Sequence, residues 1–164
     1  MIYSITFEFQ STKFMKYKLL GKTGIRVSEL CLGTMTFGTE WGFGSDKKES
    51  QKVFDAFINK GGNFFDTANI YTAGTSEKYL GEFAKSERSN LVIASKYSLS
   101  DQGKVNLAGN HRKNMIESID ASLKRLNTDY LDLYYIHAWD FTVHPDELMR
   151  NLEYLLASGK ILSV

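Results

Sequence analysis

Apolar residues recur along the chain with two alternating periods. Short, nearly continuous apolar runs stand at Leu30-Cys31-Leu32-Gly33-Thr34-Met35, Asn63-Phe64-Phe65, Leu91-Val92-Ile93-Ala94 and Tyr130-Leu131-Asp132-Leu133-Tyr134-Tyr135-Ile136, the pattern of strands buried on both faces. Between them lie stripes of helical period: Val53, Phe54, Phe57 and Ile58; then Leu80, Phe83 and Ala84; then Ile116, Ile119, Leu123 and Leu126; then Leu148, Leu152, Leu155 and Leu156. Asp46 and Glu49 stand at capping-box-like spacing before the first stripe, and Gly61-Gly62 stops it. Ser76 is the expected N-cap of the second helix, the third begins near Asn110, and the fourth has Pro145 in its first turn and Gly159 beyond its end. Ahead of these elements, Tyr17 to Leu20 and Ile25 to Leu30 flank Gly21-Lys22-Thr23-Gly24 and predict a small hairpin. After the last helix, Ile161-Leu162-Ser163-Val164 begins a fifth strand.

Strand alternating with helix implies a parallel sheet with right-handed crossovers, either an open doubly wound sheet or part of a β/α barrel. A doubly wound nucleotide-binding domain carries a glycine-rich phosphate loop after its first strand. Neither Gly33-Thr34-Met35-Thr36-Phe37-Gly38 nor Gly42-Phe43-Gly44 matches that pattern. The leading hairpin suits a barrel, where it would plug the N-terminal end.

Composition narrows the class further. Of 164 residues, 43% are hydrophobic and 24% charged, with a formal net charge of +1, which is an ordinary globular balance without a basic face for nucleic acid. Met1 to Gln10 lacks the basic start and cleavage site of a signal peptide, and no run approaches the roughly 20 apolar residues of a membrane helix. Cys31, the one cysteine, has no disulfide partner and suits the reducing cytoplasm. Met15 offers a second start, so residues 1–15 are read as an extension without assigned function and residues 16–164 as the domain.

Barrel active sites gather at the C-terminal ends of the strands. The second apolar run ends in Asp66, the third in Lys96 and the fourth in His137, with Tyr71 close behind the second. A phenol titrates near 10 and is a poor acid at neutral pH unless a cation stands beside it. Lys96 beside Tyr71, itself held by Asp66, would ease proton transfer from the phenol, and His137 would donate to the same substrate oxygen. Cys31, His111, His137 and His144 share no metal-ligand spacing, and Cys31 within an apolar strand reads as core.

Gly61-Gly62-Asn63-Phe64-Phe65-Asp66-Thr67-Ala68-x-x-Tyr71, Ile93-Ala94-Ser95-Lys96, and Asp129-Tyr130-Leu131-Asp132-Leu133-Tyr134-Tyr135-Ile136-His137, in that order, resemble the aldo-keto reductase superfamily. Cys31-Leu32-Gly33-Thr34-Met35-Thr36-Phe37-Gly38 resembles the first strand of its bacterial members, which are similar in turn to potassium-channel β subunits. The resemblance covers residues 16–164. It implies a (β/α)8 TIM barrel and reduction of aldehydes or ketones by hydride transfer from NADPH. Tyr71 would be the general acid, Lys96 and Asp66 its tuners, and His137 the group that orients the carbonyl. Thr34, Met35 and Asp66 would lie near the nicotinamide of the cofactor, and Trp41 and Trp139 would line the substrate pocket together with His137. The family's remaining cofactor contacts follow the fifth and later strands.

From Leu30 to Ile161 four units take about 33 residues each, so eight units and a hairpin need on the order of 290 residues, whereas this sequence has 164. The expected fold is therefore about the first half of the barrel: hairpin, four β/α units and the start of strand five. Such a half has unpaired strand edges and an uncovered apolar face, which favours self-association. A non-catalytic half-barrel, or an interaction module resembling the channel β subunits, is the alternative to an enzyme.

Overall fold

The computed structural model describes residues 15–100 and 102–164. Apart from Met15, the N-terminal extension lies outside the described residues.

The hairpin forms as the sequence predicts, from β1 (Tyr17–Leu19) and β2 (Arg26–Ser28), paired antiparallel with Tyr17 opposite Ser28. It is tied to the N-terminal end of the main sheet. Asn63 accepts from the Ser28 N–H at 2.7 Å and donates to the Arg26 carbonyl at 3.0 Å, and the Tyr17 hydroxyl donates to the Gly61 carbonyl at 2.7 Å.

Four β/α units follow: β3 (Leu32–Gly33), α1 (Lys47–Asn59), β4 (Phe64–Asp66), α2 (Thr75–Ala84), β5 (Val92–Tyr97), α3 (Arg112–Leu126), β6 (Leu133–Ile136) and α4 (Pro145–Ala157). The strands lie side by side in sequence order, all parallel. Beyond α4 the Leu162 N–H donates to the Leu131 carbonyl at 2.9 Å, and the Tyr134 N–H to the Ser163 carbonyl at 3.1 Å. The expected fifth strand thus begins beside β6. Among the described residues no helix is long and apolar enough to cross a membrane.

Register assigns the two faces of the sheet. Partners in a parallel ladder share a face, so Phe65 and Ile93 lie together, as do Ser95 and Tyr134, toward the helices. Against them pack Phe54 and Phe83, Leu80, Met115, Ile119 and Leu155, and the Phe54 and Phe65 rings stack at 5.0 Å. The opposite face carries Asp66 and Ala94, then Lys96 and Tyr135. It is open beside the strand ends, where Tyr135 is 37% exposed.

Local expectations are corrected in four places. The first strand pairs only at Leu32 and Gly33, because its other edge has no partner among the described residues, and Leu30 and Cys31 are exposed rather than core. Gly74, in the left-handed region, occupies the N-cap of α2, while Ser76 is buried within the first turn. α3 starts at Arg112, capped by His111, whose Nδ1 accepts from the Asn114 N–H at 3.2 Å. The hairpin strands are shorter than their apolar runs. The Asp46 cap on the Glu49 N–H and the Pro145 start are as expected.

One carboxylate joins three elements. Glu77 of α2, fully buried, accepts from the Ser95 hydroxyl of β5 at 2.6 Å and pairs with Arg125 Nε of α3 at 2.5 Å. Gly81 lets α2 approach closely, since a Cβ there would strike the Leu126 carbonyl of α3. Removing one partner of a buried pair leaves the other uncompensated. Arg125→Met is expected to destabilise the chain by about 3–5 kcal/mol in urea unfolding. Glu77→Gln is expected to cost less, because the Arg125 side chain retains 21% exposure to water.

Candidate active site

The residues singled out by the sequence meet at the C-terminal ends of β4, β5 and β6. The ladder continues past the strands to carry them. The Thr67 N–H donates to the Ala94 carbonyl at 3.0 Å, Asn69 N–H to Lys96 at 3.1 Å, and His137 N–H to Tyr97 at 2.8 Å. Asp66 ends β4 and Lys96 lies two positions beyond its level on β5, both on the open face.

Lys96 organises the group. Its Nζ donates to Asp66 Oδ2 at 2.6 Å, to the Thr67 carbonyl at 2.9 Å and to the Tyr71 hydroxyl at 3.0 Å. An ammonium has three protons and no acceptor, so three oxygen partners use its whole capacity. Tyr71 must therefore accept in this bond, which leaves the phenol's own proton free to be given elsewhere. The Lys96 and Asp66 side chains are 14% and 28% exposed, so solvent screens their pairing only in part.

His137 faces Tyr71 edge-on, with ring centroids 5.8 Å apart. Desolvation, reinforced by the Lys96 charge, lowers its pKa below the ordinary 6.5. Its Nδ1 is buried and has no hydrogen-bond partner among the described residues. A buried unpaired N–H is rarer and costlier than a buried unpaired acceptor, so the proton of the neutral ring belongs on Nε2. The arrangement offers two neutral donors, Tyr71 and His137, backed by one cation.

Trp41 sits edge-to-face with Tyr71, centroids 6.3 Å apart, and Phe43 stands 5.9 Å from Trp41 with 56% exposure. Trp139 packs against the hydrophobic core and pairs with Phe141, which is 85% exposed. Met35 is exposed beyond the end of β3. Thr34 is fully buried, its hydroxyl bonded to the Asp66 carbonyl and to Ser76, and so it underlies the site instead of lining it.

Sequence reasoning missed the supports. The loop carrying His137 is clasped to the end of β5. Ser98 accepts from the Ala138 N–H at 2.9 Å and donates to its carbonyl at 3.0 Å; Asn110 and Asp140 exchange bonds of 2.8 Å in both directions. These residues sit 28 or more positions apart from their partners, and no local pattern marks them. The turn carrying Tyr71 holds two non-glycine residues in the left-handed region, Thr72 (φ 46°) and Ala73 (φ 53°). Such conformations cost roughly 1–2 kcal/mol each and persist only where surrounding contacts enforce them.

Known proteins align with this architecture. The model of the aldo/keto reductase family matches residues 29–164. Norsolorinic acid reductase of Emericella nidulans is 46% identical over 152 residues, covering 86% of this chain and 39% of its own length. An aryl-alcohol dehydrogenase [NADP(+)] of Phanerodontia chrysosporium is 41% identical over 167 residues, covering 92% of this chain and 43% of its own. An aldo-keto reductase from Bacillus halodurans in its holo form superposes with a TM-score of 0.79 at 32% identity, over 90% of this chain and 48% of that structure. The chain thus spans about 40% of the length of the curated relatives it matches and about half of the matching barrel. With that family match over most of its residues, the chain belongs to the aldo/keto reductase family.

Proposed function

We propose that this chain supplies the catalytic face of an NADPH-dependent reductase of aldehydes or ketones, working in the cytoplasm, with Tyr71 as proton donor. The observation that carries the proposal is the bond from Lys96 Nζ to the Tyr71 hydroxyl at 3.0 Å, in a lysine also bound to Asp66. A carbonyl oxygen lodged between Tyr71 and His137 receives two hydrogen bonds aimed where negative charge develops. NADPH, when bound, supplies the hydride that adds to the carbonyl carbon. The C=O π pair moves onto oxygen, oxygen takes the Tyr71 proton, and an alcohol results. The phenolate left behind stands against the Lys96 ammonium, which stabilises it.

The open sheet face suits the flat nicotinamide end of the cofactor. A Cβ at Gly33 would meet nothing within 4 Å among the described residues, and Met35 and Tyr135 are partly exposed on either side of Asp66. Met35 and Asp66 would border the ring, with Thr34 beneath them. The aromatic pair Trp41 and Phe43 beside Tyr71 favours an aryl carbonyl as substrate, in keeping with the aryl-alcohol dehydrogenase among the relatives. Trp139 and Phe141 would form the far rim.

The exposure of Tyr135 on the open face, and of Leu162 and Val164 where the chain runs beside β6, favours a second reading, in which the chain by itself pairs with another copy. Light scattering on the purified chain separates the cases. Self-association gives a species about twice the 18.6 kDa of the monomer, and a monomer at every concentration excludes it.

The enzyme reading is tested by NADPH fluorescence titration and by reduction of a simple aromatic aldehyde. Tyr71→Phe is expected to lower turnover by about 10²- to 10⁴-fold with the melting temperature unchanged. No NADPH binding at millimolar cofactor, or unchanged turnover in Tyr71→Phe, would overturn it. His137 should titrate below 6.5 when its imidazole is followed by NMR. Because its folded pKa is depressed, stability holds above the unfolded value of about 6.5 and declines as pH falls below it. His137→Gln should flatten that decline.

A further inference from the structure

Four fully buried hydroxyls lie beneath the turn that presents Tyr71: Thr34 after β3, Thr67 after β4, Thr72 in the turn and Ser76 in the first turn of α2. Thr72 Oγ1 donates to the Phe37 carbonyl at 2.6 Å and accepts from the Ser76 N–H at 3.1 Å. Ser76 Oγ donates to the Thr34 carbonyl at 2.7 Å and lies 2.8 Å and 2.9 Å from the Thr34 and Thr67 hydroxyls. The cluster therefore ties the ends of two strands and the start of a helix to the residue that follows Tyr71.

The backbone at Thr72 gives these bonds a specific task. Thr72 and Ala73 occupy the left-handed region, where neither residue type rests without outside support. Threonine is a poor choice for that conformation on steric grounds, since it is β-branched. Its hydroxyl supplies the compensation, bridging the Phe37 carbonyl and the Ser76 amide. Gly38 shows how closely the parts are fitted: an added Cβ would stand 2.8 Å from Thr72 Oγ1 and 2.9 Å from Thr72 Cβ. If the turn relaxed to an ordinary conformation, the chain direction at Tyr71 would change, and the phenol would leave Lys96.

We propose that Thr72 and Ser76 are positioning residues for Tyr71, holding its hydroxyl over Lys96 and its ring against His137 and Trp41. The proposal rests on the role assigned to Tyr71, but its geometry is measurable without catalysis. A purely structural hydroxyl cluster would change stability and leave Tyr71 where it is.

The decisive experiment compares Thr72→Val, which keeps the β-branched outline and removes the oxygen, with Thr72→Ser, which keeps the oxygen. Tyr71 resonances are assigned by their disappearance in Tyr71→Phe. In Thr72→Val the NOEs from the Tyr71 ring to His137 and Trp41 are expected to vanish, while those between Tyr97 and Tyr134, stacked at 5.3 Å in the interior, persist. Thr72→Ser restores the Tyr71 contacts. Where the protein turns over substrate, Thr72→Val lowers kcat by about 10²-fold with KM little changed, the loss expected when a reacting group is displaced by about 1 Å. Ser76→Ala, which keeps the helix and the amide, is the second variant should Thr72→Val fail to fold, and is expected to weaken the same NOEs. Tyr71 contacts that survive in the folded variants, with only the melting temperature lowered, would overturn the proposal. Failure of the carbonyl-reduction reading is distinct, since it shows as absent turnover in the wild-type chain whatever the NOEs do.

Discussion

Three protons on one nitrogen set the geometry at the top of the sheet. Lys96 Nζ meets Asp66, the Thr67 carbonyl and Tyr71 at once, and the three oxygens come from a strand end, the residue after it, and a turn. Satisfying them fixes where β5 stands against β4 and where the connection to α2 must pass. The arrangement works only if the lysine emerges on the open face, two residues beyond the level of Asp66. A one-residue slip of β5 would turn Lys96 toward the helices and bring Ser95 to the site. What prevents the slip is the opposite face, where Ser95 is held by buried Glu77 and Ile93 by the apolar core.

The buried polar bonds on the helix side therefore act on the site through register. Glu77 connects α2 to β5 and α3. Asp132 accepts from the Ile93 N–H at 2.9 Å and pairs with Arg88 at 2.9 Å, pinning the start of β6 to β5 at the opposite end of the ladder. Burial raises the Asp132 pKa, and the Arg88 charge offsets part of that rise, so the aspartate is retained at a cost that the guanidinium limits. Apolar packing resists a one-residue slip, which would turn the core side chains outward, but being non-directional it resists a two-residue slide less, since that keeps each side chain on its face. A carboxylate bonded to a particular amide has one register in which it is satisfied.

That division explains what the sequence made legible. Alternation of apolar runs and helical stripes located the strands and α-helices of the described residues, since burial against a helix layer needs that periodicity. Strand ends located Asp66, Lys96 and His137, because a barrel places reactive groups where apolar runs stop. Ser76 misled because a serine before a helical stripe matches a cap, whereas here its hydroxyl is needed by Thr34 and Thr67 deeper in the structure, and Gly74 takes the cap in a left-handed conformation. Cys31 misled because a run of apolar letters implies two covered faces, and this strand has one face open. Ser98, Asn110 and Asp140 were invisible: their bonds join positions brought together only when β5 and β6 are already side by side.

The open face and the reactive face are one surface, and a single constraint accounts for both. Parallel strands covered by helices on one side leave the other to be lined by whatever side chains the second parity supplies. Here that parity delivers Asp66, Lys96 and Tyr135 together with Ala94. Charged groups on this side avoid full desolvation while remaining sheltered enough that their pairing is not screened away. Burying the same lysine and aspartate beneath the helices would demand complete pairing and forbid access. Leaving them fully exposed would dissolve the geometry into flexible side chains. The intermediate exposure of Lys96 and Asp66, set by strand ends and loops that rise above the ladder, satisfies both requirements.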